Sequence, residues 1–251
     1  MSAMNRLKAL FLDAGNTVLA MDYGLLSRWA SLAGLLIEPE IFARAEPMAR
    51  PTLNHYLQGG ASTESGSTLS VYAQAILSAA RDLEDDRITD EEVRTALPTL
   101  LEILDDPSNW DNLWTHVPEG VPAALARAKE AKLRLVIVSN SDGGIDRKLA
   151  RARIDHYFDS IVDSGTVGVE KPDPRIFEIA LERAGCDADG ALHCGDLEAI
   201  DVQGARAAGL RAVLLDPFGD WMDPSLGFDV PNCETVRDVP QLVDRILSAN
   251  G

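Results

Sequence analysis

The hydrophobic positions of this chain repeat with two different periods, and the change between them divides it. Leu7, Ala9, Leu10, Phe11 and Leu12 form a continuous apolar run, and residues 5–12 read as one strand. From Asp22 to Trp114 the apolar residues recur instead at three- and four-residue steps. Leu25, Leu26, Trp29, Leu32 and Leu36 are one such series, and Val71, Ala75, Ile76 and Ala79 another. That is the period of helices. Pro39 suits a first helical turn, Thr89 with Glu92 predicts a capping box, and Gly59–Ser67 reads as a flexible polar loop. Trp29, Trp110 and Trp114 are expected to pack in the core or at a hinge.

Beyond Val117 the pattern alternates. Strands are predicted at 133–138, 160–162, 191–194 and 211–215, with helices at 122–131, 146–152, 174–184 and 200–208 between them. A closing helix over 239–250 turns Leu242, Val243, Ile246 and Leu247 inward. Alternation on this scale predicts an α/β fold, a parallel sheet covered by helices on both faces. The N-terminal strand has no partner of its own and is expected to join that sheet. The division is then a core of residues 1–17 and 117–251, with 18–116 as an inserted helical segment.

Composition narrows the partners. The 251 residues carry a net charge of −17, so nucleic acid and anionic membrane, both bound by basic surface, are not expected. An anionic substrate has to be met by local cations or a metal. The three cysteines Cys186, Cys194 and Cys233 have no CxxC spacing, which fits a reducing compartment better than a disulfide framework or a zinc site. No apolar run approaches the ~18 residues of a membrane span, and no signal-type segment precedes Asp13. A cytoplasmic protein, monomeric or homodimeric, is expected.

Ligands collect at the carboxyl ends of the strands in such sheets. The first strand delivers Asp13, the second Ser139-Asn140, the third region Lys171, and the fourth Asp196, followed five residues on by Asp201. Asp13 and Asp196 suit a hard cation such as Mg²⁺. Lys171, Ser139 and backbone N–H groups suit a phosphoryl group beside an anionic nucleophile.

At these residues the chain resembles the haloacid dehalogenase (HAD) superfamily, in the branch with a helical cap inserted after the first motif. Lys-Ala-Leu-Phe-Leu-Asp13-Ala-Gly-Asn-Thr17 is similar to its first motif, and Val-Ile-Val-Ser139-Asn-Ser-Asp-Gly to its second. Gly-Val-Glu-Lys171-Pro-Asp-Pro resembles the third, and His-Cys-Gly-Asp196-Leu-Glu-Ala-Ile-Asp201 the fourth. The resemblance implies a Rossmann-like core, a Mg²⁺ cofactor and a small phosphorylated metabolite as substrate. It implies Asp13 as nucleophile and metal ligand, and Gly15 as a metal ligand through its carbonyl. Ser139, Asn140 and Lys171 bind the phosphoryl group, with Asp196 and Asp201 in the metal set. His193 is expected to orient the fourth loop.

One position departs from the family's phosphatases. They carry an aspartate two residues after the nucleophile as general acid and base, and this chain has Gly15. Loss of such help costs about 10²–10⁴-fold. Phosphonatases of the family use a cap lysine, and no lysine lies between Lys8 and Lys129. Metal-free haloacid dehalogenases need no leaving-group acid, but the carboxylates Asp196 and Asp201 would repel their carboxylate substrates. Two readings stay open beside that one: a Mg²⁺-dependent phosphohydrolase biased to good leaving groups, and a non-catalytic module that binds phosphate and Mg²⁺. In the predicted cap, Arg44, Arg50 and His55 are candidate substrate contacts, with Tyr23 and Arg28 as alternatives.

Overall fold

The computed structural model describes residues 7–63, 65–84, 87–106, 109, 112–222 and 231–250. Trp110, Glu64 and the first residues of the predicted N-terminal strand lie outside them. Two compact units are present. One comprises the described parts of Met1–Ala20, His116–Gly219 and Pro231–Gly251, and the other those of Met21–Thr115 and Asp220–Val230.

The first unit holds a six-stranded sheet. Its strands are β1 (Ala9–Leu12), β4 (Arg134–Ser139), β5 (Ser160–Asp163), β6 (Ala191–Gly195), β7 (Arg211–Leu215) and β8 (Glu234–Val236), in the order β5-β4-β1-β6-β7-β8. Every pairing is parallel. The strand Glu234–Val236 is an addition to the predicted set; its three residues are too few for periodicity to register. Both faces of β1 are covered, with Ala9 and Phe11 in one apolar cluster with Val136, Val138, Ile176 and Phe177, and Leu10 and Leu12 buried on the other side. Burial on both faces is why the central strands read as unbroken apolar runs rather than alternations.

Helices α5 (Val121–Glu130), α6 (Ile145–Arg151), α7 (Ser164–Val167), α8 (Pro174–Ala184), α9 (Gln203–Ala207) and α10 (Val239–Asn250) complete this unit. The predicted helix at 200–208 is instead a π-helical turn, Glu198–Val202, running into α9. The wide turn carries the buried Asp201.

The second unit is helical: α1 (Tyr23–Leu32), α2 (Pro39–Leu57), α3 (Gly66–Leu83) and α4 (Asp90–Leu104). Short strands β2 (Ala20–Met21) and β3 (Trp114–His116) pair where the chain passes between the units. Pro39 opens α2, and the Thr89–Glu92 capping box is formed, with Glu92 N donating to Thr89 Oγ1 at 3.2 Å and Thr89 N to Glu92 Oε2 at 2.8 Å. The helical series through Leu36 is corrected: Leu32 and Leu36 are exposed, at 73% and 82%, and only Leu32 is helical. Helix α1 stops at Leu32, and past Gly34 (φ +93°) the extended chain buries Leu35 and Ile37 by a period of two. Among the described residues no helix is long and apolar enough to cross a membrane.

A buried ion pair organises this unit. Arg50 Nε and Nη2 donate to the two carboxylate oxygens of Glu46, each at 2.7 Å, one turn apart on α2. Tyr72 of α3 and Tyr23 of α1 add hydroxyl donors to the same carboxylate at 2.5 and 3.2 Å. Removing one partner of such a pair strands a charge away from water. Arg50→Leu is therefore expected to lower the unfolding free energy by about 3–5 kcal/mol, read from urea titration. A loss below about 1 kcal/mol, the scale of an exposed pair, would refute the buried-pair assignment.

Candidate active site

Register builds the site. Leu12 of β1 lies level with Ile137 of β4 and Cys194 of β6, so the next residue, Asp13, emerges at the carboxyl ends of the three central strands. Its N–H is fixed by the Cys194 carbonyl at 2.9 Å. The chain then turns tightly: the Ala14 carbonyl accepts from the N–H groups of Thr17, Val18 and Leu19, and Asn16 adopts φ +52°. Asparagine tolerates that left-handed conformation better than most side chains. Its carboxamide Nδ2 donates to Asp196 Oδ2 at 3.3 Å, joining the first and fourth motifs.

Lys171 is the centre of the cluster. Its Nζ donates to Asp13 Oδ1 at 2.6 Å and to Asp201 Oδ1 at 2.8 Å, with all three residues buried. The backbone of Lys171 is clamped by Asn140, whose Oδ1 accepts from Lys171 N at 2.7 Å and whose Nδ2 donates to Lys171 O at 2.9 Å. The Asn140 side chain thus supports the lysine. Ser139, the last residue of β4, is buried.

Asp201 has both oxygens engaged. Oδ1 takes Lys171 Nζ and His193 Nε2, the latter at 2.9 Å, and Oδ2 takes Leu197 N at 3.1 Å. A carboxylate can only accept, so the His193 proton facing it sits on Nε2. The fully buried ring also meets Phe177 edge-on, with centroids 4.9 Å apart. Gly195 explains how this carboxylate comes so close to β6. A Cβ there would stand 2.1 Å from Asp201 Cγ, so no larger residue fits.

Electrostatics follow from burial and from one cation among several anions. Burial pushes the Asp13 carboxyl up, against the pull of Lys171. Burial acts upward on Asp201 too, but Lys171 and the His193 hydrogen bond prevail and hold it well below the usual carboxylate range. Burial alone would lower Lys171; Asp13 and Asp201 outweigh it and raise the ammonium above an ordinary lysine. The Cys194 thiol is driven well up by burial and then by Asp201, Asp13 and Asp196, so it packs as a neutral thiol.

Two carboxylates on one ammonium leave an excess of negative charge and hard oxygen donors. That donor set fits Mg²⁺, which takes one or two carboxylates and keeps its remaining positions for water and phosphate. Among the described residues no three His, Cys, Asp or Glu side chains form a metal-binding cluster. Asp201 is committed to Lys171, His193 and Leu197, and Asp13 and Asp196 are the carboxylates whose chemistry fits a cation.

In the helical unit, Arg44 makes a bidentate pair with Asp220 at 2.7 Å and Arg50 pairs with Glu46, while His55 is exposed on α2. Both guanidiniums are committed to carboxylates of their own unit. Asp220 gave no sequence signal, because its partner lies far away along the chain.

Over residues 7–209 the chain matches the family model described as haloacid dehalogenase-like hydrolase. It is 42% identical over 95 residues to the phosphoserine phosphatase of Thermus thermophilus, a stretch covering 38% of each protein. It is 35% identical over 116 residues to haloacid dehalogenase-like hydrolase domain-containing protein 3 of Mus musculus, covering 46% of this chain and 44% of that protein. The chain thus spans less than half the length of these curated relatives. The crystal structure of a HAD phosphatase from Thermococcus onnurineus superposes with a TM-score of 0.57 at 21% identity, covering 97% of this chain and 99% of that one, a likeness of fold.

Because folding depresses the Asp201 pKa, the stability it contributes is present above the unfolded value of about 3.9 and is lost as pH falls. Asp201→Asn is expected to be less stable than wild type at pH 7, with the gap closing on acidification below pH ~4. Chemical unfolding at several pH values measures it, and a gap constant with pH would contradict the depressed pKa.

Proposed function

As the chain belongs to the haloacid dehalogenase-like hydrolases, we propose that it is a phosphohydrolase acting on a small phosphorylated metabolite, with Asp13 as nucleophile. The observation that carries this is the Lys171 ammonium bridging Asp13 and Asp201 at 2.6 and 2.8 Å at the strand ends. The phosphatase among its relatives supports the substrate class.

Asp13 has one oxygen on Lys171, and no described residue hydrogen-bonds the other, Oδ2. Attack by a carboxylate oxygen on phosphorus breaks the bond to the leaving oxygen, which takes the electron pair, and forms an aspartyl-phosphate. Lys171 stands beside the reacting carboxylate and offsets the charge gathered there. The Ser139 hydroxyl, at the end of β4, holds an equatorial oxygen of the phosphoryl group. Water then attacks phosphorus, the bond to Asp13 breaks, and the carboxylate is restored as phosphate departs with the water's proton. Asp13, the Gly15 carbonyl and Asp196 would hold Mg²⁺, with Asp201 acting on Lys171. When bound, the ion supplies charge neutralisation for the phosphoryl group.

Gly15 has no proton to give, so the leaving oxygen departs unprotonated. Leaving groups of low pKa lose least by this. A haloacid substrate is disfavoured because its carboxylate would meet Asp196 and Asp201. Asp13→Asn is expected to abolish turnover in a Mg²⁺-supplemented phosphatase panel. Log kcat/KM is expected to fall steeply with leaving-group pKa in wild type, and Gly15→Asp to raise turnover of alkyl phosphates by about 10²-fold. A flat leaving-group series, or full activity in Asp13→Asn, would overturn the proposal.

A further inference from the structure

The loop after β4, residues 140–145, is held by residues that the reaction scheme does not use. β5 ends in Asp163, whose side chain is buried although its neighbours on the strand are apolar. Its Oδ1 accepts from Gly143 N at 3.1 Å and from Gly165 N at 3.0 Å, and its Oδ2 accepts from Ile145 N at 3.2 Å. Gly143 has φ +89°, a backbone conformation glycine adopts freely. Ser164, also buried, makes a reciprocal pair with Ser141: Ser141 N donates to Ser164 Oγ at 2.9 Å, and Ser164 Oγ donates to Ser141 O at 3.0 Å. Gly165 N adds a bond to the same carbonyl at 2.9 Å. The two loops approach so closely that a Cβ on Gly165 would lie 2.7 Å from Ser141 O, Asp142 C and Gly143 N.

These contacts share one direction. Of these five side-chain bonds of Asp163 and Ser164, all but the one to Gly165 N reach the backbone of the β4 loop. A carboxylate that accepts only backbone N–H groups is a strong local clamp. The loop it grips begins at Ser139 and Asn140, and Asn140 in turn clamps Lys171. We propose that Asp163 and Ser164 are positioning residues that hold the β4 loop, and through it the Ser139 hydroxyl and the Asn140 clamp on Lys171, in the conformation that meets a phosphoryl group. Their effect on ligand rests on the phosphohydrolase reading; the anchoring itself rests on the geometry alone.

The test uses the full chain with Asp163→Asn and Ser164→Ala, each of which removes acceptors or a donor from the clamp with little change in volume. Three readouts are taken well below the melting transition: amide exchange of the segment 139–146, competitive inhibition by inorganic phosphate, and half-saturation by Mg²⁺. Exchange of that segment is expected to rise selectively, and the phosphate inhibition constant to rise about tenfold, the effect of ~1.4 kcal/mol. Half-saturating Mg²⁺ is expected to stay close to wild type. The proposal is overturned if exchange of 139–146 is unchanged. It is equally overturned if exchange rises evenly over the whole sheet while phosphate inhibition is unaltered, the outcome of a general loss of stability. Should wild type neither hydrolyse an aryl phosphate nor bind phosphate, the phosphohydrolase reading fails instead. The anchoring is then decided by exchange: a selective rise in 139–146 upholds it, and no rise refutes it.

Discussion

A lysine ammonium shared by two buried carboxylates imposes the conditions that the rest of the core unit meets. Taking such charges out of water costs several kcal/mol per ion unless each is paired and its remaining hydrogen-bonding sites are filled. Lys171 has Asp13 and Asp201 as partners, and Asp201 fills its remaining sites with His193 and Leu197 N. The arrangement tolerates little displacement. Gly195 lets the Asp201 carboxylate lie against β6, and Gly204 fits where a Cβ would stand 2.9 Å from Pro172, next to the lysine. The glycines of the fourth motif region are thus explained by close approach of other groups.

The loops around this centre are fixed by backbone contacts more than by side chains meeting side chains. Asn140 grips the main chain at Lys171, and Asp163 and Ser164 grip the main chain of the β4 loop. Asn16 ties the turn after β1 to Asp196. A site for phosphoryl transfer relies on preorganised donors and on charge placed in advance. Rigid strand ends with mutually clamped loops provide such preorganisation. On the proposed reading, Gly15 leaves that electrostatic framework intact and lacks only a group for proton transfer.

The helical unit solves a comparable problem independently. Glu46 and Arg50 bury opposite charges one helical turn apart, and two tyrosines complete the shell of the carboxylate. Arg44 finds Asp220, a residue from a different part of the chain. Cations that stand out in an acidic segment of sequence are natural candidates for binding an anion. Here two of them, the buried Arg50 and the part-exposed Arg44, pair with carboxylates of the same unit.

The parallel α/β core was legible because two-sided burial writes itself as continuous apolar runs, as in Leu135–Val138, and because helices between strands carry their own period. Asp13, Lys171 and Asp196 were legible because each follows such a run or a motif at a strand end. The edge strand Glu234–Val236 was not, being too short to show a period, and the helical series was carried through Leu36 although the helix ends at Leu32. What sequence alone determined was the order of strands and helices and the set of charges delivered to one edge of the sheet. Which charge meets which was decided only by the tertiary structure. Asp201 turned to Lys171 and His193, Asn140 to a backbone, and Asp163 to the neighbouring loop, since hydrogen-bond partners are set by distances between strands far apart along the chain.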